Sequence, residues 1–426
     1  MTASASPAPG SPAAGLPASD LPLAGVRILD LSAVIFGPLA TQTLADYGAD
    51  VIKIEPPEGD STRFTGPDKE RGMSTVFLGA NRNKRSVVLD LKREQDRAAL
   101  LKLVDTADVF VHSMRPQKLV KLGIDPDTLL ARNSRLVYAG LHGFAEGGPY
   151  AGRPAYDDIV QGISGNAALM QRQTGQPGYF PTIAADKTCA QVAAHAILAA
   201  LFKRERTGKG GFVEVPMFES MVAFNLVEHL YGQHFEPPLA PAGYPRVMAA
   251  WRRPYQTSDG FVCAMPYTNA HWQRFFTETG HANHAADARF ANISERTKHI
   301  EPLYQITGAI LRTRSTAEWL ALFERLEIPA SRVNDLEDLA HDPHLAATGF
   351  FETVRDEKMG TLRFTAVPVK FGGTRAPISM PPRLGEHTEE VLRAAGISVA
   401  LVPSALSASS TTSTHSAPVT PPAQSA

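Results

Sequence analysis

The chain is poor in cysteine. Only Cys189 and Cys263 occur in 426 residues, with no CxxC or CxxxC spacing. That speaks against a disulfide framework or a cysteine zinc site and fits a reducing compartment, the cytoplasm. Net charge is almost absent as well: 42 basic against 43 acidic side chains leave −1, so no global field draws in nucleic acid or an anionic membrane. No apolar run approaches the length of a membrane span. The opening MTASASPAPGSPAAGLPASD has no Lys, no Arg and no apolar core, and so reads as neither a signal nor a transit peptide. No GxGxxG follows the first apolar strand, and GxxxxGK[ST] is missing altogether. The usual dinucleotide and P-loop readings are therefore weak.

What is present describes a cytoplasmic globular protein. A hydrophobic content of 43% supplies a large core, and the length calls for two domains. Residues 1–20 and 403–426 are rich in Ala, Ser, Thr and Pro and read as disordered tails. Between them strands alternate with helices. GVRILDLS, ADVIKIE, RSVVLDLK, DVFVHSM and RLVYAGLHG are short apolar strands, and FGPLATQTLADYG and REQDRAALLKLVDTA are helices between them. This order predicts an α/β fold with a doubly wound, mostly parallel, Rossmann-like sheet over 21–232. The Pro-rich EPPLAPAGYP marks a boundary. A smaller α+β domain is expected over 233–335, with two strands around Ser258-Asp259-Gly260, and a return to the large domain over 336–402. Ligands of such sheets sit beyond the carboxyl ends of the strands. Here those ends carry Ser32–Gly37, Glu55–Asp60, Lys92, Ser113–Arg115 and His142–Gly147.

One stretch combines polar residues with an unusually apolar sequel. PTIAADKTCA, 181–190, runs directly into AQVAAHAILAALF. Asp186 reads locally as the N-cap of that helix, its carboxylate accepting first-turn amides. Cys189 and His195 on the same helix read as a small buried filler and a core histidine. KRERTGKGG, 203–211, reads as a solvated helix end with Gly208 at the cap. Asp157 and Asp158 lack a third ligand at metal spacing, so no metal is expected.

Several stretches together resemble the family III CoA-transferases, the group typified by formyl-CoA transferase. They are LDLS…GPLA, GADVIKIEPPEGDSTR, NKRSVVLDLK, ADVFVHSMRPQKLVKLGI, RPAYDDIVQGISG, ADKTCA, RTGKGGFVEVPMFES and PPRLGEHTEEVL, collinear from about 23 to 397. The resemblance implies two α/β domains in an interlocked homodimer. It implies CoA transfer between an acyl-CoA and a small mono- or dicarboxylate, with the acyl group carried on Asp186. Coenzyme A is then a substrate, and no cofactor is expected. Tyr156 and Asp157 match the family's active-site Tyr-Glu pair, with Asp for Glu, and Asp157 would position carboxylates by hydrogen bonding. On the CoA side the resemblance assigns Leu89, Asp90 and Lys92 to the adenine-side pocket. Ser113, Met114 and Arg115 fall on the loop where the family usually has Asn-Phe, and Lys121 on a phosphate contact. Against formyl-CoA transferase, Ile35 replaces a glutamine, Pro56 an arginine and Pro154 a lysine. AAWRRPYQTSDG lies where that enzyme has a run of glycines. Arg252 and Arg253 become candidates for the second carboxylate of a longer diacid, with surface arginines as the plain alternative.

The chemistry agrees with the assignment. An aspartate can attack a thioester carbonyl and expel a thiolate, provided the site orients it and excludes water. Two other functions compete. An α-methylacyl-CoA racemase needs a histidine where Tyr156 stands, and a non-catalytic nucleotide-binding scaffold would need Asp186 only as a cap.

Overall fold

The structure is a computed structural model describing residues 18–398. The two tails expected at the ends therefore lie outside the described residues, except for one 3-10 turn at Ala18–Asp20. The large unit runs β1 (Arg27–Leu31), α1 (Phe36–Asp46), β2 (Asp50–Glu55), α2 (Thr75–Ala80) and β3 (Lys84–Val88). It continues through α3 (Glu94–Val104), β4 (Val109–His112), α4 (Pro116–Leu122), α5 (Pro126–Arg132) and β5 (Val137–His142). It closes with α6 (Asp157–Ile163), α7 (Asn166–Thr174), α8 (Ala184–Thr207), β6 (Gly211–Pro216) and α9 (Met217–His229).

The six strands form one sheet in the order β3-β2-β1-β4-β5-β6, and every pairing is parallel. Successive side chains of a strand face opposite ways, and here both faces are covered. Ile28, Val109, Val111, Val137 and Ala139 pack with α1, α8 and α9. Their neighbours Leu29, Phe110 and Tyr138 pack with α3 and with the late residues Val391 and Leu392. Each large side chain so buried is worth roughly 1.5–3 kcal/mol relative to exposure. The order reverses between β1 and β4, which opens a crevice at their carboxyl ends.

Helix α8 shows how this sequence chooses its packing. Its alanines favour the helix, and Gly208 ends it at φ 72 with its N–H on the Arg204 carbonyl. Cys189, Ala193, Ile197 and Leu201 form the buried stripe. Arg204, within the basic string expected to be solvated, is buried and paired to Asp108 at 2.6 Å. His195 is not in the core as expected. It falls with Val192, Ala199 and Phe202 on the opposite, exposed stripe, because three- and four-residue steps from 192 never reach the sheet-facing side.

Beyond α9, β7 (Tyr255–Gln256), β8 (Phe261–Ala264) and β9 (Ala330–Arg332) make a small antiparallel sheet. It has its own aromatic core, with Trp272, Phe275, Phe276, Trp319 and Phe323. The later strands β10 (Phe351–Asp356) and β11 (Gly360–Thr365) pair only with each other. Arg383, bonded to Glu70 at 2.7 Å and to Asp356 at 2.9 Å, ties this hairpin to the large unit.

Candidate active site

A cavity of about 520 Å³ opens beyond the carboxyl ends of β1, β4 and β5. The loop after β1 contributes Ala33, Val34 and Phe36, and the loop after β4 contributes Ser113, Met114, Arg115 and Pro116. His142, Gly143 and Phe144 follow from β5, while Tyr156, Asp186 and Met217 complete the wall. Of the residues singled out from sequence, this cavity gathers Asp186, Tyr156, Ser113, Met114 and Arg115. Leu89 is buried in the core on the other face of the sheet. Asp90 and Lys92 sit in the turn after β3, where the Lys92 N–H donates to Asp90 Oδ1 at 3.0 Å. Lys121 is exposed in the last turn of α4. None of these four lines the cavity.

Asp186 is not the N-cap. The helix starts at Ala184 with Ile183 in the cap position and no capping side chain, so Asp186 is its third residue. The cap comes from a distant part of the chain: the Ala185 and Asp186 N–H groups donate to Asp157 Oδ1 at 2.7 and 3.0 Å. Asp157 is buried at the start of α6 and also accepts from Gln161 Nε2 at 2.5 Å. Gln161 in turn donates to the Thr182 carbonyl and accepts from the Phe180 N–H, fixing the approach to α8. The first-turn amides are thus committed to Asp157 rather than to the Asp186 carboxylate, contrary to the cap reading from sequence. A different amide faces the carboxylate, since the Phe36 backbone N–H lies close enough to Asp186 to favour its ionised form. Burial first, then the charge of Asp157, push the Asp186 carboxyl up to about 6, against the pull of the Phe36 amide. A carboxylate held there is more basic than usual yet ionised at neutral pH.

Tyr156 precedes α6 and is 68% exposed at the cavity rim. Ser113 Oγ accepts from the Ala33 N–H at 3.2 Å and joins the loops after β1 and β4. Cys189, one turn beyond Asp186, is buried, and its thiol is pushed up to about 12 by burial and by the two aspartates. That thiol stays protonated.

Sequence reading assigned no role to the individual residues of a second polar group at this cavity. His142 Nδ1 lies 3.3 Å from Glu214 Oε1, and the Glu146 N–H donates to the same oxygen at 2.7 Å. His142, Glu146 and Glu214 offer potential ligand atoms within 4.8 Å of one another. Their only sequence signal was position, since His142 ends β5. Behind it His112 is fully buried, and burial followed by the proximity of His142 pushes it down to about 3. Arg252 and Arg253 lie elsewhere. They line a separate cavity of about 490 Å³ in the small unit, with Tyr255, Cys263 and Trp272.

Comparison with known proteins shows what the chain as a whole is similar to. The profile of CoA-transferase family III matches residues 23–388. The protein named "Probable fatty acyl-CoA transferase Rv3272", from Mycobacterium tuberculosis, is 32% identical over 86% of this chain and 96% of its own. A succinate–glutarate CoA-transferase of Agrobacterium fabrum is 32% identical over 87% of this chain and 94% of its own. A crystal structure of Rv3272 superposes with a TM-score of 0.75 at 32% identity, covering 87% of this chain and 99% of that one.

Proposed function

The chain belongs to CoA-transferase family III, and we propose that it passes CoA from an acyl-CoA to a free small carboxylate through Asp186. The observation that carries this is the Asp186 carboxylate itself, at the wall of the crevice, with the Phe36 amide on it and a carboxyl raised to about 6. In the forward half-reaction one Asp186 oxygen attacks the acyl carbonyl. The C–S bond breaks, and the CoA thiolate leaves an aspartyl-acyl anhydride. The thiolate then attacks Asp186 Cγ and releases the donor acid as its carboxylate, leaving an aspartyl-CoA thioester. The acceptor carboxylate attacks the same Cγ and expels the thiolate. That thiolate takes the acceptor acyl group from the second anhydride and frees Asp186.

Both attacks on Cγ develop negative charge on an Asp186 oxygen, where the Phe36 N–H stands ready. One such donor is worth about 10²–10³ in rate. Asp157 acts through Asp186: it fixes the start of α8 and raises the basicity of the nucleophile. Tyr156, at the rim, can donate to a thioester or carboxylate oxygen. Arg115, in the loop after β4, is a cation in the cavity suited to a CoA phosphate. Asp90, Lys92 and Lys121 would meet only the outer part of CoA, and Leu89, buried in the core, would meet none of it. Arg153 also lines the cavity, stacked on Tyr150 at 4.6 Å. It suits the far carboxylate of a dicarboxylate acceptor, in keeping with the name of the Agrobacterium relative.

The racemase alternative needs a second base opposite the aspartate. Tyrosine titrates near about 10, too high for that task. His142 presents no ring nitrogen to a substrate, because Nδ1 faces Glu214 and Nε2 is buried. The deciding experiment incubates the protein with an acyl-CoA and hydroxylamine. The peptide spanning 181–190 should be modified at Asp186, and Asp186→Ala should abolish CoA exchange. A 2-methylacyl-CoA kept in D2O without acceptor acid should gain no deuterium at the α-carbon. Catalytic uptake would make Asp186 a base and end the transferase reading.

We place the protein in the cytoplasm, in keeping with two free thiols, one of them exposed. Among the described residues no helix is long and apolar enough to cross a membrane. We further take the working unit to be a homodimer, for which the exposed apolar faces of α6, α8 and α9 are the support.

A further inference from the structure

The loop between β1 and α1 carries the Phe36 amide, and its conformation is costly. Val34 has φ 70, a left-handed value that a β-branched side chain strongly resists. Among the described residues the other non-glycine residues at positive φ, Asn83, Tyr231 and Glu327, carry no branch at Cβ. Close by, the loop doubles back so tightly that a Cβ on Gly37 would stand 2.2 Å from Ser32 Cβ. Strain of this kind persists only where the surroundings over-determine it.

The surroundings are a buried ion pair. Lys53 Nζ and Asp60 Oδ2 are 2.9 Å apart with both side chains 1% exposed. Lys53 also donates to the Ser32 carbonyl at 2.9 Å. Both Asp60 oxygens accept from the Val34 N–H at 3.3 Å, and Oδ1 also takes the Thr62 N–H at 3.0 Å. The pair thus grips the loop at Ser32 and at Val34, two residues before Phe36. Buried ion pairs are often no more stabilising than apolar side chains of the same volume, so stability alone does not account for one here.

We propose that Lys53 and Asp60 are positioning residues for the reaction: they hold Val34 left-handed so that the Phe36 N–H keeps facing Asp186 across the cavity wall that the two residues share. This rests on Asp186 being the nucleophile. Neither residue touches substrate. Losing the grip releases the strain and lets the amide drift, which slows attack on Cγ more than it weakens the hold on acyl-CoA, because the other walls of the cavity stay in place.

The test is a double-mutant cycle with Asp60→Ala and Val34→Gly, measuring kcat and KM for CoA exchange together with hydroxylamine trapping at Asp186. Asp60→Ala should lower kcat by about tenfold to a hundredfold, the span that backbone strain of this kind commands. KM for acyl-CoA should stay within about twofold. Glycine adopts φ 70 without strain, so in the Val34→Gly background the same Asp60→Ala change should cost at least about tenfold less. An equal loss in both backgrounds, or a loss confined to KM, overturns the proposal. If Asp60→Ala fails to fold by urea melt, Asp60→Asn and Lys53→Met are carried through the same cycle and judged by the same coupling. Trapping in the parent protein separates the two ideas. No adduct at Asp186 removes the nucleophile itself, whereas an adduct without coupling removes only the positioning role.

Discussion

At the scale of single residues, the site turns on the electrostatics of two aspartates. Asp186 must be ionised to attack, and its carboxyl is raised to about 6, first by burial and then by Asp157. Acyl transfer should therefore fall as pH drops through about 6, seen in single-turnover trapping across pH 4.5–8. Asp157→Asn keeps an acceptor for the Ala185 and Asp186 amides but removes the charge. The acidic limb should then move to lower pH, and a limb that stays in place would show that burial alone sets the value. Stability follows the same carboxyl with a definite sign. A carboxyl raised in the fold favours the protonated form, so its contribution is present at low pH and is lost as pH rises through about 6. Asp186→Asn should accordingly stabilise the protein at pH 8, on the order of 2 kcal/mol after allowing for partial exposure, and leave it unchanged near pH 3.5. Urea midpoints of the two proteins at both pH values check this.

At the scale of elements, most strands of the large unit were legible as short apolar runs set between helical stretches, as strands covered on both faces must be. Ile28 and Leu29, or Val109 and Phe110, alternate faces as a covered parallel strand must. Strand β6 was not named from sequence. Its residues are only half covered, a β period is faint in GFVEVP, and its start depends on Gly210, where a Cβ would meet the Leu136 carbonyl at 2.0 Å. Asp186 was found for its chemistry and misplaced in its geometry. Nothing local reveals that Asp157, twenty-nine residues earlier, supplies the cap, or that Phe36 supplies the amide. The strain at Val34 was equally invisible, since a valine after a strand ordinarily continues it. For 336–402 sequence suggested only a return to the large domain, and could not say that the hairpin β10–β11 there pairs with itself rather than joining the six-stranded sheet. Helix α8 joins these levels, because its buried stripe sets the position of its first turn. Ile197→Ala, at a fully buried site, should cost about 2–5 kcal/mol. Being three turns from Asp186, it should leave kcat per folded molecule within about twofold. A large loss of kcat with intact folding would mean that α8 transmits its packing to the site.

At the scale of the whole molecule, the apolar surface asks for a partner. Helices α6, α8 and α9 pack on one another, so their outer faces belong to one side of the large unit. Ile159, Ile163, Val192, Phe202, Phe224 and Val227 all stand exposed there, Val227 at 77%. Soluble monomers rarely leave such a patch uncovered, and a second copy joined by a two-fold axis covers it with the same residues from both sides. The protein should therefore behave as a dimer in light scattering at micromolar concentration. Because the surface is apolar, added salt should not split it. Phe224→Asp with Val227→Asp buries two charges on each side of the contact, a cost of several kcal/mol, and should yield a monomer. Val120→Asp is the control, an equally exposed apolar residue on α4, whose neighbour Leu119 packs on the other face of the sheet, and it should leave the dimer intact. A parent protein that scatters as a monomer while exchanging CoA at full rate would show that this surface serves something other than self-association.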